Sequence, residues 1–360
     1  VTGEARTDVT VSRVTDFAAL EVKWRDLETR SDPSFFQSWT WTGCLAAERF
    51  PDPVLVEARE NGRSVALALF NRRGRVLYLG ESGDPALDRI YIEFNGVLAE
   101  SGREASLTAA CLRAARTGLG GWFKPRLVLG GISAAANSAA VAAGQVRSNR
   151  SLLAPSIALD GRNDDFMDSR SANTRQQLRR SNRAFASIGP IMVERAENLA
   201  RADEFLNGLT ELHQAYWIGR GEPGAFANPF FARFHRTLIE RGLPRGEIDL
   251  LRVMAGPQII GFLYNFRFRG QSLAYQSGFD YAGGSRHAKP GMTCHHEAIR
   301  FATRWGAVRY HFLAGDDRYK RSLSDQAETV HWIEVASALS PRFIARRARD
   351  FLTSGRRRWL

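Results

Sequence analysis

A chain of 360 residues is long enough for about two domains, each with a core of its own. Its 44% hydrophobic and 24% charged content is that of a soluble globular protein, and no apolar run approaches the ~18 residues of a membrane span. Three distant cysteines, Cys44, Cys111 and Cys294, exclude a Cys-x-x-Cys zinc site and a disulfide framework, and a net charge of +12 favours acidic partners such as CoA phosphates, tRNA or an anionic membrane face. Val1 to Thr10 carry no apolar leader core, so a cytosolic location is expected.

In chain order, the first half opens with an amphipathic helix over about Asp16 to Glu28, with Phe17, Leu20, Trp24 and Leu27 at helical spacing. Pro33-Ser34-Phe35-Phe36-Gln37-Ser38-Trp39 leads into a second helix that reaches Arg49. Val54 to Arg59 and Ser64 to Asn71 read as a hairpin around Asn61-Gly62, a pair that suits the positive φ of a two-residue turn. A strand at Arg75 to Gly80, a helix at about Arg103 to Thr117 and a strand at Arg126 to Leu129 complete a domain of residues 1–133. Residues 134–161, rich in Ala, Ser and Asn and poor in periodicity, read as a linker or irregular crossover.

A second domain, residues 162–338, repeats that order. Asp164-Asp165-Phe166 starts a helix with Arg175, Arg179 and Arg183 at i, i+4, i+8 and Gly189 as its stop. Five arginines between Arg170 and Arg183 concentrate positive field, although a solvated basic face has the same pattern. Helices over about Arg201 to Ile218 and from Asn228-Pro229-Phe230-Phe231 to Arg241 precede strands at Ile248 to Met254, Gln258 to Arg269 and Gln271 to Phe279. The loop Arg286-His287-Ala288-Lys289-Pro290-Gly291, a helix from about Met292 to Trp305 and a strand at Ala307 to Leu313 follow. Phe35-Phe36 aligns with Phe230-Phe231, Asn61-Gly62 with Ala255-Gly256, and Arg73-Gly74 with Arg269-Gly270, so one unit reads as used twice. Residues 339–360 form a basic amphipathic tail, suited to an anionic bilayer or to docking on the protein with its basic face outward.

Chemistry is expected at the loop that enters the helix near Met292. Pro and Gly at a helix start leave backbone N–H groups unpaired and pointing outward, and with the helix dipole, Arg286 and Lys289 they form a site for an anion such as a pyrophosphate. Lysines are scarce (Lys23, Lys124, Lys289, Lys320), so the two within Gln271 to Lys320 read as positions that want a compact ammonium. The spacing Arg286-x-x-x-x-Gly291 resembles the acyl-CoA pyrophosphate signature of the GNAT acyltransferases, with its first and last positions kept and Lys289 where the first Gly would stand. With Gly278-Phe279-Asp280, Gly306, and Gly315 followed by Tyr319-Lys320, the chain resembles the CelD/BcsL-type GNAT-like acyltransferases, linked by name to cellulose biosynthesis and related to the FemAB peptidyltransferases. The resemblance covers about Thr15 to Val335. It implies an α/β (α+β) fold of tandem GNAT-like domains, each a mixed central sheet flanked by helices.

The same resemblance implies roles. Acyl-CoA, acetyl or longer, would bind at Phe279, Arg286, Lys289, Gly291, Met292 and Thr293. Lys320 resembles the lysine that FemAB-type enzymes use near the transferred carbonyl, and Tyr319 beside it offers a hydrogen bond or a proton. Asp280, at a strand end, and His213, on a helix with Trp217 and Arg220, are candidates for the base that takes the ammonium proton; a lone helical His is as readily a packed residue. Trp217, Arg220, Tyr275, Arg179 and Arg180 are candidates for the acceptor side. In the first half, Gly80 to Asn95 holds Glu81, Asp84 and Asp88 but no basic cradle, so that copy is expected to bind no cofactor. His295-His296-Glu297 points around a helix, so no metal is expected. The expected function is N-acyl transfer from acyl-CoA to an amine-bearing acceptor in exopolysaccharide (cellulose) or cell-envelope and lipid biosynthesis. The expected setting is cytoplasmic, or peripheral at the inner membrane face, with no DNA partner. A FemAB-like aminoacyl-tRNA donor and a non-catalytic scaffold of a membrane-associated synthase complex are the alternatives.

Overall fold

The structure, a computed structural model, describes residues 7–118, 124–159, 166–282, 287–315 and 317–337. Its strands are β1 (Asp8–Arg13), β2 (Pro53–Glu60), β3 (Arg63–Arg73), β4 (Val76–Leu79), β5 (Leu98–Ala99), β6 (Arg126–Ser133), β7 (Gln145–Ala158), β8 (Ile191–Arg195), β9 (Ile248–Ala255), β10 (Gln258–Phe268), β11 (Gln271–Phe279), β12 (Arg309–His311) and β13 (Gln326–Ala336). Its helices are α1 (Phe17–Glu28), α2 (Trp39–Thr42), α3 (Ala46–Arg49), α4 (Glu104–Thr117), α5 (Ala134–Ala140), α6 (Ala172–Ala186), α7 (Leu199–Ile218), α8 (Pro229–Gly242), α9 (Pro290–Arg304) and α10 (Arg318–Leu323). Contacts divide the chain into two compact units, Val1–Ser151 with Val330–Leu360, and Leu152–Thr329.

In the first unit the strands lie in the order β1-β2-β3-β4-β6-β13, with β5 against β3. Only the β4–β6 pair in that order is parallel. Asn61 and Gly62 turn β2 into β3 with φ of 49° and 81°, as their side chains permit. Asp16 starts α1 by accepting hydrogen bonds from the Ala18 and Ala19 N–H groups, both at 2.9 Å. Strand alternation then builds two apolar layers: Val54 and Val56 join Leu107, Cys111 and Leu112 of α4, while Leu55 joins Leu20, Trp24 and Leu27 of α1. Each such large side chain, fully buried, stabilises the fold by about 1.5–3 kcal/mol.

Residues 134–159 are regular, not a linker. Ser133 caps α5 through a 3.2 Å bond from the Ala136 N–H, and β7 follows. The first half of β7 is polar and exposed while Ala154 and Ile157 are buried, so no single period runs through it. The two compact units divide inside β7 and inside β13. The basic tail expected at 339–360 lies outside the described residues.

In the second unit the order is β7-β12-β11-β10-β9-β8, and β11–β12 is the parallel pair. Leu178 and Phe185 of α6 and Cys294, Ala298 and Ile299 of α9 pack on one side with Ile260, Leu263 and Tyr310. On the other, Phe205 of α7 meets Phe262 at 5.7 Å and His235 of α8 meets Tyr264 at 5.5 Å. Ser171 starts α6 by accepting from the Thr174 N–H at 3.2 Å, and the helix ends at Ala186, ahead of Gly189; the start expected at Asp164 lies outside the described residues. Asn228 caps α8 in the same way, with Pro229 in its first turn.

Candidate functional site

Two strands part at the centre of the second unit. β11 and β12 are paired only through Gln271–Leu273 and Arg309–His311. Beyond that point β11 stays with β10 as far as Phe279, opposite Gly261. After His311 the chain stays with β7 instead: the Phe312 N–H donates to Pro155 O at 2.9 Å and the Gly315 N–H to Leu153 O at 3.1 Å. This is why β12 is shorter than the expected Ala307 to Leu313. The V so formed leaves one edge of β11 with no strand beside it among the described residues, and its backbone groups need partners.

A bulge aims the side chains of β11. Tyr264 faces Gln276 and Asn265 faces Ala274, so Tyr275 is an extra residue and the two faces exchange. Ala274 and Phe279 therefore both pack toward α9, although they stand five positions apart, which in a regular strand would put them on opposite faces. Tyr275 is directed away: it is 8% exposed, against Phe266 at 4.7 Å and His235 at 4.9 Å. The structure does not bring it to the V. At Gly278 any Cβ would lie 2.4 Å from Leu209 O, so only glycine lets β11 approach α7 this closely.

The start of α9 stands beside the tip of β11. Lys289 precedes Pro290, and no side chain caps the helix. A Cβ at Gly291 would meet the Phe279 ring at 3.2 Å and the Tyr281 hydroxyl at 3.6 Å, so the bare backbone keeps this corner open. Lys289 Nζ donates to Gln177 Oε1 and its N–H to Ser181 Oγ at 2.8 Å. Thr293 is fully buried, with Oγ1 donating to Asn182 Oδ1 at 2.9 Å, and Met292 lies in the core. These two side chains hold α9 on α6, so only their backbone can serve a ligand. Arg286 lies outside the described residues. Of the five arginines on and before α6, Arg170 is buried on Asp325 at 3.1 Å and Arg175 donates to Arg170 O at 2.6 Å. Arg179 and Arg180 are exposed, with no ion pair among the described residues.

Inside the V, rings dominate. Tyr319 stacks on His295 at 5.1 Å and 21°, and Phe279 and Phe312 meet the same imidazole at 5.7 and 5.5 Å. Burial first, then the Asp317 carboxylate, pushes the Tyr319 phenol well above its usual range, so it stays protonated and can donate. Lys320 Nζ donates to Ala314 O at 2.9 Å and lies 3.7 Å from Asp317. His295 is held neutral by burial, with its pKa lowered to about 3, and the Lys320 charge adds to the effect.

The remaining candidates sit at the rim. Asp280 Oδ1 accepts from the Ala282 N–H at 2.9 Å and Oδ2 from Gln258 at 3.4 Å, fixing the turn after β11. His213 has both ring nitrogens engaged: Nδ1 donates to Ser277 O at 3.1 Å and Nε2 accepts from the Ala225 N–H at 3.3 Å. Burial lowers its pKa, so it is a neutral clamp between β11 and the segment that precedes α8. Trp217 is 37% exposed, and the Arg220 guanidinium lies 3.8 Å over Tyr216, which meets Tyr281 at 5.0 Å. Sequence reasoning set His295 aside as a metal ligand and missed that it is buried among the rings of the V; no spacing signal could have shown it. Among the described residues, no group of three or more His, Cys, Asp or Glu is placed to hold a metal, and no helix is long and apolar enough to cross a membrane.

Comparison with known proteins agrees with this geometry. Residues 172–321 match the family model of the acetyltransferase (GNAT) domain. No curated protein matches the sequence significantly. Among solved structures, the C-terminal domain of a lysylphosphatidylglycerol synthetase from Agrobacterium fabrum superposes with a TM-score of 0.57 at 14% identity, covering 94% of this chain and 96% of that one. FemX gives 0.57 at 11% identity, covering 89% and 96%. L-PGS from Bacillus licheniformis gives 0.54 at 12%, covering 87% and 90%. Similarity at this level shows a shared fold. The stretch similar to the acetyltransferase (GNAT) domain runs from α6 to the first turn of α10, with the parted parallel strands at its centre.

Proposed function

We propose that the protein transfers an acyl group from acyl-CoA to an amine-bearing acceptor, with the donor lying between β11 and β12. The observation that carries this is the V: an unpaired strand edge for the amides of an extended thiol arm, leading to an uncapped helix start at Lys289-Pro290-Gly291 for its pyrophosphate. Tyr319 and Lys320 stand where the thioester would lie, as a neutral donor and a fixed positive charge. The amine forms its bond to the carbonyl carbon, sulfur leaves as thiolate, and the ammonium proton passes to a base. His213 is poorly suited to that task because the one lone pair of its neutral ring, on Nε2, accepts from the Ala225 N–H, whereas a carboxylate has about four acceptor sites and can take a proton beside the bonds from Ala282 and Gln258, so Asp280 is the stronger candidate.

The acceptor side is assigned to Trp217 and Arg220 at the rim, and one structural neighbour is named for lysylphosphatidylglycerol, which supports an envelope or lipid amine. The CelD/BcsL kinship and an exopolysaccharide (cellulose) setting are finer than the family match reaches and stand here as part of the proposal. A cytoplasmic donor places the reaction in the cytoplasm. A second donor class, aminoacyl-tRNA, is favoured by the exposed Arg179 and Arg180 on α6, which packs against α9.

The test is the melting temperature with CoA, acetyl-CoA and a long-chain acyl-CoA, for the wild type and for the variant carrying both Arg286→Ala and Lys289→Ala. A ligand at ~100 times its Kd adds about 2.7 kcal/mol to the folded state. A saturable shift that the double variant loses supports the assignment. No shift with any thioester, together with steeply salt-dependent tRNA binding, replaces it with the tRNA donor.

A further inference from the structure

His295 is 2% exposed, yet its Nε2 has no hydrogen-bond partner among the described residues. A buried ring nitrogen in that condition costs free energy that a bound group would recover. Its other nitrogen identifies what Nε2 carries. Nδ1 lies 3.1 Å from the Tyr310 hydroxyl, and the Asn265 side chain hydrogen-bonds the same hydroxyl in the sense that favours the phenolate, which makes the amide the donor. Asn265 Oδ1 is left without a partner, consistent with its NH2 group being the one engaged. The Tyr310 proton then points to Nδ1, and the proton of the neutral imidazole is on Nε2.

The ring is also in the right place. It is one helical turn beyond Gly291, so pyrophosphate corner and imidazole share a face of α9, and Phe279 touches both. Phe279 ends β11 and Phe312 follows β12, so His295 lies between the two diverging strands. Its stacked neighbour Tyr319 belongs to the six-residue α10, the shortest element among the ring's supports apart from β12.

Resting on the acyl-CoA donor proposed above, we propose that His295 Nε2–H is a catalytic hydrogen-bond donor to the carbonyl oxygen of the thioester, with Asn265 and Tyr310 as positioning residues that fix its tautomer. As the amine nitrogen bonds to the carbonyl carbon, the π pair moves onto oxygen and meets Nε2–H. When that pair returns, the carbon–sulfur bond breaks, and the thiolate is protonated by the proton the amine has lost. The imidazole gives up no proton, in keeping with a ring that stays neutral. Tyr319 slides off the ring when the thioester arrives.

The experiment is the infrared spectrum of [1-13C]acetyl-CoA bound to wild type, His295→Phe, His295→Gln and Tyr310→Phe, with thiol release to hydroxylamine measured on each. Wild type is expected to lower the bound C=O stretch relative to free acetyl-CoA. His295→Phe, which fills the site without a donor, should return it and slow thiol release by ~100-fold at saturating donor, as for loss of one oxyanion donor. His295→Gln should restore part of both, and Tyr310→Phe should weaken both without abolishing either. An unchanged stretch in His295→Phe, with a normal acetyl-CoA melting shift, overturns the role of His295 and leaves the donor standing. No melting shift in the wild type overturns both.

Discussion

The two units solve the same topological problem in opposite ways. Each pairs two parallel strands over a short stretch, β4 with β6 and β11 with β12, and each pair then has to part. In the first unit the chain fills its own gap. Asn95 donates from Nδ2 to Leu79 O at 2.9 Å and to Gly130 O at 3.3 Å, while its backbone N–H bonds Gly131 O at 2.9 Å. In the second unit no strand pairs with that edge of β11 beyond Leu273, among the described residues. Neither helix start has a side-chain cap, but they differ in charge: the first turn of α4 holds Glu104, which accepts from the Gly102 N–H, whereas α9 begins with Lys289, Pro290 and Gly291 and no acidic residue in its first turn. A gap with satisfied carbonyls and an acidic helix start has nothing to offer a pyrophosphate. For the donor proposed above, the contrast favours the second unit.

Making α9 start like α4 should have the largest effect. Gly291→Glu places a carboxylate on the helix start and presses on Phe279, and it is expected to abolish the acetyl-CoA melting shift, a loss of at least ~100-fold in affinity. A retained shift would show that the pyrophosphate lies elsewhere. Unplugging the first unit comes next. Asn95→Ala leaves the Leu79 and Gly130 carbonyls without their buried donor and should cost about 2 kcal/mol, read by denaturant unfolding, with the ligand shift unaltered. Ligand binding that changes with Asn95 would break the comparison.

The smallest effect concerns Glu81, just after β4. Burial, then Asp88, raises its pKa from 4.5 to about 7, against the opposing pull of Arg49 and Arg150. Below 4.5 the carboxyl is protonated in both folded and unfolded chains. Between 4.5 and about 7 the unfolded chain loses the proton first, so stability falls with rising pH, and the loss is complete above about 7. Because the side chain keeps some solvent contact, the effect is about 1–2 kcal/mol. Glu81→Gln should therefore be more stable than wild type by that amount at pH 8 and equal to it at pH 4; equal stability at pH 8 would place the carboxylate in water.

Local chemistry made much of this visible in the sequence. The Asn61-Gly62 turn, the Asn228 cap and the Pro290-Gly291 helix start are each determined by residues within a few positions, and each appears where those residues stand. Strands β1, β5, β7, β8 and β13 were not legible, because they are short, exposed on one face or mixed in polarity, and their partners are distant in the chain. The site divides in the same way. Gly291 and Lys289 are marked by helix-start chemistry, but the bulge at Tyr275 that redirects β11, and the burial of the polar run His295-His296-Glu297 on a helix enclosed on almost every side, depend on tertiary packing alone. His213 looked like a base because only its residue type was visible; its two hydrogen bonds make it a clamp.

The division of the chain inside β7 and β13 also orders events at the ribosome. β6 lies at an open edge until β13 pairs with it through Val330–Val335, and Ile333 and Val335 belong to the core of the first unit. All of Leu152–Thr329 must be synthesised before that strand emerges, which takes on the order of 10–40 s at ordinary elongation rates. The second unit, whose strands are all in hand by then, can close while the first is still one strand short. A nascent chain halted before residue 330 would therefore present a finished second unit attached to an unfinished first unit with a sticky edge.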